Sequence, residues 1–143
     1  MHEGVICAET IAGHSPRPLD KGNIPNCTYS RPQVASIGMT EAQANAAGRA
    51  IKIGRFPFMG NGKAIAIGEP TGFVKTIFDD ASGTLLGAHL VGADVTELVG
   101  GLSLGQAFGV TQAQLVETVI PHPTLTESIH ESALAALGRA LHI

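Results

Sequence analysis

The sequence predicts an α+β fold in which one antiparallel sheet carries helices packed on one face. Three observations lead there. Segments with a two-residue alternation occupy most of the middle of the chain, whereas segments of helical period fill its last third. Threonine or aspartate followed three residues later by glutamine or glutamate recurs four times, a spacing that marks helix starts. A turn of only three residues separates the two best strand candidates, which makes them antiparallel neighbours. Strands first and helices last is the order of a sheet covered by helices rather than of alternating βαβ units. With 143 residues the chain has room for one domain with its own core. Its composition, 44% hydrophobic and 15% charged, requires much of that surface to be buried within the fold or against another molecule.

Residues 1–12 have weak helical character, and Gly13 to Pro25, GHSPRPLDKGNIP, is a connector rich in proline and glycine. From Thr28 to Ile37, the residues Tyr29, Val34 and Ile37 predict an extended segment, which Pro32 restricts to an edge or a bend. Thr40 and Gln43 open a short helix that Gly48 closes. IKIGRFPFM resumes the alternation, and GFVKTIFDD and TLLGAHLVG form a hairpin about Ala81 to Gly83. Asp94 and Glu97 are spaced to cap a long apolar helix, in which Gly101, Gly105 and Gly109 recur every four residues and allow close approach of another element. That element is either a second subunit or the protein's own sheet, because periodicity does not separate the two. Thr111 and Gln114 start a further helix, and Thr124 to Leu137 is the last, with the stripe Leu125, Ile129, Ala133 and Leu137.

The net charge of -3 and the scattered basic residues give no footprint for nucleic acid or an anionic membrane. No apolar run reaches the roughly 18 residues that span a bilayer, and the start MHEGVICAE lacks the regions of a signal peptide. Cys7 and Cys27 form neither a CxxC pair nor half of a zinc site, which fits a reducing, cytoplasmic setting.

Chemistry concentrates in VIPHPTLTESI, residues 119–129. His122 stands between Pro121 and Pro123, which fix φ on both sides, and Pro123 confines the histidine to extended conformations. The His122–Pro123 bond is also a candidate for the cis form. Glu127 has the spacing to cap a helix with Thr124, and the same carboxylate can give one oxygen to a backbone N–H and the other to the imidazole. An aimed imidazole held by a carboxylate is the orienting half of a general-base site. A satisfied surface histidine and a plain helix cap are the structural alternatives. A metal site from His122, Glu127, His130 and Glu131 is the rival chemistry, but HExxH is absent because Leu134 stands where the second histidine belongs. His2, His14, His89 and His142 show no pairing pattern, and His89 on a strand suits packing or hydrogen bonding.

In these and neighbouring residues the chain resembles the C-terminal interface domain of dihydrolipoamide dehydrogenases, in the flavoprotein disulfide reductase family. The resemblance rests on YSRPQVASIGMTEAQA, GRFPFMGNGKA, GFVKTIFD, LLGAHLVG, HPTLTESIHESAL and GRALHI, in family order. It implies that residues 1–24 are the remnant of a preceding FAD-binding domain and linker, partly disordered or repacked, and that residues 25–143 are the interface domain. It further implies a homodimer in which His122 and Glu127 serve as catalytic base and orienting acid in the partner's active site, with His122 and Pro123 beside its flavin. Dihydrolipoamide carried on an acyltransferase or carrier protein would be the substrate. The subunit-binding domain of a 2-oxoacid dehydrogenase complex would be a partner. FAD and NAD belong to the full-length protein; none is expected on this chain, which has neither a GxGxxG fingerprint nor a close cysteine pair. Where many members carry a second histidine, this sequence has Ile120 and Pro121. The same domain of a glutathione-type or mercury-type reductase, or a free-standing dimerisation or binding module, is the alternative.

Overall fold

The computed structural model describes all 143 residues. Helix α1 (His2–Ile11) buries no residue, and a 3-10 turn at Lys21–Asn23 leads into the sheet. Strand β2 (Gln33–Gly38) falls in the extended segment expected over Thr28 to Ile37, whereas β1 (Asn26–Thr28) lies almost wholly ahead of it, and the chain bends at Ser30 to Pro32 between the two. Strands β3 (Ile51–Pro57), β4 (Phe73–Asp79) and β5 (Leu85–Gly92) complete a five-stranded sheet, ordered β1-β2-β5-β4-β3 and antiparallel throughout. The β4–β5 hairpin turns where the sequence places it, and Asp79 Oδ1 accepts from the Ser82 backbone N–H and hydroxyl within the loop.

Pleating puts Ala35, Ile37, Phe56, Val74, Ala88 and Leu90 on one face, and all are at most 1% exposed. Across that face lie α4 (Val95–Ala107), over β2 and β5, and α6 (Glu127–Ala135), over β3 and β4. Val95, Val99 and Leu102 of α4 and Ile129 and Ala133 of α6 join one core with Phe58 and Phe78. Burial of each of the valine, leucine, isoleucine and phenylalanine side chains contributes roughly 1.5–3 kcal/mol. The short α5 (Gln112–Glu117) connects them. Near the opposite face, α2 (Glu41–Ala46) supplies Glu41, which pairs with Lys75 at 2.5 Å and with Arg55 at 3.3 Å. The expected layer arrangement is therefore present.

Two of the four predicted capping boxes form: Thr40 with Gln43 and Thr111 with Gln114. Asp94 does not cap α4 through its side chain, because its backbone is left-handed (φ 55°), whereas a capping residue is normally extended. At the last box Glu127 accepts the Thr124 N–H, but the Thr124 hydroxyl turns back to the Pro121 carbonyl. The helix accordingly starts at Glu127 and ends at Ala135, which leaves Leu137 beyond it and 40% exposed. The apolar side of α4 packs on its own sheet, while Gly100 and Gly101 face open space and Gly109 ends the helix with φ +66°.

Candidate active site

The segment between α5 and α6 carries His122, and the fold holds this segment from below. Phe58–Gly60 makes a 3-10 turn after β3, and α3 (Gly62–Ala66) follows it, a helix that the alternation alone does not predict. Asn61 caps α3 by accepting the Ala64 N–H at 2.9 Å. Its amide nitrogen donates to the Thr124 carbonyl and to the Ser128 hydroxyl, both at 3.0 Å. Asn61 is 3% exposed, so one buried side chain joins α3 to the loop and to α6. Its sequence signal was the asparagine just ahead of a short helix-forming run.

His122 Nδ1 lies 2.8 Å from Glu127 Oε1, and the Thr124 N–H donates to Glu127 Oε2 at 2.8 Å. The carboxylate thus bridges the imidazole and the turn before the helix, as one group in two roles. A carboxylate only accepts, so Nδ1 carries the proton and Nε2 keeps its lone pair. The His122 side chain is 79% exposed and that of Glu127 is 29% exposed: the acid is sheltered and the ring is presented. The His122–Pro123 bond is cis, and the His122 carbonyl accepts no hydrogen bond within the chain.

Burial pushes the Glu127 carboxyl up, but the Thr124 N–H, the His122 ring and the positive charge available at His122 and His142 together hold it below the usual carboxylate range. A lowered folded value means that the unfolded chain binds the proton more readily, so stability rises with pH. This contribution is complete above the ordinary glutamate value of roughly 4.3 and is lost as pH falls through the lower folded value. Thermal melts should therefore show the stability advantage of the native chain over Glu127→Gln shrinking as the pH falls from about 5 through the lowered folded value; an advantage that grows over that range would contradict it.

The other sequence candidates go elsewhere. His130 Nε2 bonds the Val116 carbonyl and His89 Nε2 the Met39 carbonyl. Glu131 turns to His142, whose Nδ1 is 2.7 Å from Oε1, a pairing that sequence inspection misses because eleven residues separate the two. His122, Glu127, His130 and Glu131 therefore do not converge, and no group of three or more His, Cys, Asp or Glu side chains is placed to hold a metal ion. Both histidine–glutamate pairs line one cleft of about 530 Å³, with Asn61, Ile120 and Leu141 in its walls.

Residues 24–133 match the family described as pyridine nucleotide-disulphide oxidoreductase, dimerisation domain. The chain belongs to that family. The dihydrolipoyl dehydrogenase of Zymomonas mobilis is 58% identical over 142 residues, which is 99% of this chain and 30% of the relative. That of Rhizobium etli is 54% identical over the same length and share. Among solved structures, the HOCl-induced flavoprotein disulfide reductase RclA from Escherichia coli superposes with a TM-score of 0.85 at 25% identity, over 92% of this chain and 31% of that one. This dimerisation domain therefore spans about 30% of the length of the curated relatives it matches. No helix in it is long and apolar enough to cross a membrane.

Proposed function

We propose that this domain is the C-terminal part of a dihydrolipoyl dehydrogenase and that, in a homodimer, it supplies His122 as general base and Glu127 as its orienting acid to the partner subunit's active site. The supporting observation is the 2.8 Å bond between His122 and a sheltered Glu127 beneath a ring that is 79% exposed. A base whose ring is exposed and presents its lone pair outward suits a site finished by a second molecule. The 58% identity to a dihydrolipoyl dehydrogenase supports dihydrolipoamide as the substrate, in preference to the substrates of more distant disulfide reductases.

In this reading a dihydrolipoamide S–H gives its proton to His122 Nε2, and the thiolate attacks a disulfide held in another part of the full-length protein. A thiol of pKa near 8.5 is mostly protonated at neutral pH, and an imidazole near 6.5 is a suitable acceptor. Glu127 fixes the tautomer and stabilises the imidazolium that forms. The dithiol is oxidised to the cyclic disulfide as the protein disulfide is reduced, and FAD and NAD supply the onward passage of the two electrons. The His122 carbonyl, which accepts no hydrogen bond within the chain, and the adjoining Pro123 are exposed and free to meet the flavin edge. Residues 1–24 are the end of the FAD-binding domain and its linker, and this chain without the remaining modules is inactive. The full-length protein is cytoplasmic, accepts dihydrolipoamide on an acyltransferase or carrier protein, and docks the subunit-binding domain of a 2-oxoacid dehydrogenase complex.

The test is a hybrid full-length dimer with His122→Gln in one subunit and the redox cysteines replaced in the other. If the histidine acts across the interface, one of the two sites is whole and about half of the native turnover returns. If it acts within its own subunit, both sites are broken and the hybrid is as inactive as either parent.

A further inference from the structure

The His122–Glu127 pair has no need of a second carboxylate one turn further along α6. Glu131 is nevertheless there, 5% exposed. A buried carboxylate is costly unless its oxygens are hydrogen bonded. Both oxygens of Glu131 are met by one segment: the Leu141 N–H donates to Oε2 at 3.0 Å, and His142 Nδ1 donates to Oε1 at 2.7 Å. No lysine or arginine pairs with it. The arrangement repeats that of Glu127, with a backbone N–H on one oxygen and a ring Nδ1 on the other.

Apolar burial does not hold this segment down, because Leu141 is 73% and Ile143 66% exposed. Its backbone also lies against the 3-10 turn after β3, so closely that a Cβ on Gly60 would stand 2.8 Å from the His142 carbonyl oxygen. Held in this way, Leu141 and His142 form a wall of the cleft that contains His122 and Glu127.

We infer that Glu131 is a positioning residue: its buried carboxylate staples Arg139–Ile143 in place, and through Leu141 and His142 it sets the path by which a small thiol or disulfide substrate reaches His122. The substrate part of this inference rests on the function proposed above; the staple itself does not. His142 is close enough to help hold the Glu127 carboxyl below its usual range, and both pairs line the one cleft.

The experiment uses His142→Ala, Glu131→Gln and the double variant. Amide hydrogen exchange at Leu141, read in this chain, should accelerate about tenfold or more in Glu131→Gln, the loss expected for one charge-assisted hydrogen bond. In the full-length flavoprotein, KM for dihydrolipoamide should rise about three- to tenfold with kcat within about twofold, and the double variant should be no worse than Glu131→Gln, because the two residues act as a unit. Leu141 exchange within twofold of wild type in both single variants would overturn the staple. Faster exchange with unchanged KM would overturn its part in substrate access. Should Glu131→Gln fail to fold, His142→Ala, which alters an exposed ring, decides on the same readouts. Wild-type turnover in His122→Gln would instead defeat the proposed function and leave the exchange result standing.

Discussion

Replacing His122 by glutamine in the full-length flavoprotein is expected to lower kcat for dihydrolipoamide oxidation by roughly 100- to 10,000-fold, the usual worth of a positioned general base. Glutamine is the informative choice. Its amide can still donate to Glu127, so the polar contact at the turn survives, but it cannot take up a proton at neutral pH. The native ring is 79% exposed and bonded within the chain only to Glu127. Its removal should therefore leave the melting temperature, the flavin content and the dimer unchanged. A structural role would show the opposite signature, with a lower melting temperature and normal turnover. Steady-state kinetics beside a thermal melt separate the two, and wild-type kcat would refute the base assignment.

Gly54→Ala is expected to produce the largest loss of stability. Gly54 lies in β3 beneath α6, and a Cβ there would stand 1.7 Å from the Ser132 carbonyl oxygen and 2.7 Å from its carbon. Those are backbone atoms of a helix and cannot swing aside. The same turn of α6 is tied to the sheet by the buried Thr76–Ser132 hydroxyl contact at 2.8 Å, so the helix has to lift as a whole or the strand has to bend. Overpacking of this kind reaches about 3 kcal/mol or more, which lowers the melting temperature of a chain of this size by about 10 °C. Because α6 carries both Glu127 and Glu131, the cleft should loosen with it. Gly62→Ala is the control: nothing lies within 4 Å of that position and its backbone is helical, so it should be neutral or slightly stabilising. A melting temperature within about 2 °C of wild type for Gly54→Ala would show that the helix yields more easily than close packing allows.

Relatives of two kinds bear on the choice of reaction. The fold is shared with a hypochlorite-induced disulfide reductase at 25% identity, whereas the identity to dihydrolipoyl dehydrogenases reaches 58%. An interface domain is a scaffold that different reductases reuse, so the superposition fixes architecture and not a substrate.

Much of the fold was readable because its signals are local. Alternation in FVKTIFD and LLGAHLVG reports which residues face the core, and Thr40–Gln43 and Thr111–Gln114 satisfy their own helix starts with residues three apart. The same rule misled at Asp94, where a left-handed backbone overrides the spacing, and at Thr124, whose hydroxyl goes back to Pro121. The His122–Glu127 geometry was legible for the same reason as the caps: the partners are five residues apart, and the prolines leave the chain little freedom between them.

By itself, then, the sequence determined strands β2 to β5, the capped starts of α2 and α5 and the one histidine–glutamate pair whose members are neighbours along the chain. Only the tertiary structure decided that Asn61 ties the loop to α6, that Glu131 belongs to His142, and that both pairs share one cleft. The physical reason is that hydrogen-bonding side chains have no sequence period. A carboxylate such as Glu131 is satisfied by whatever donor the packing of sheet, turn and final segment brings to it, and that donor is known only once those elements have come together.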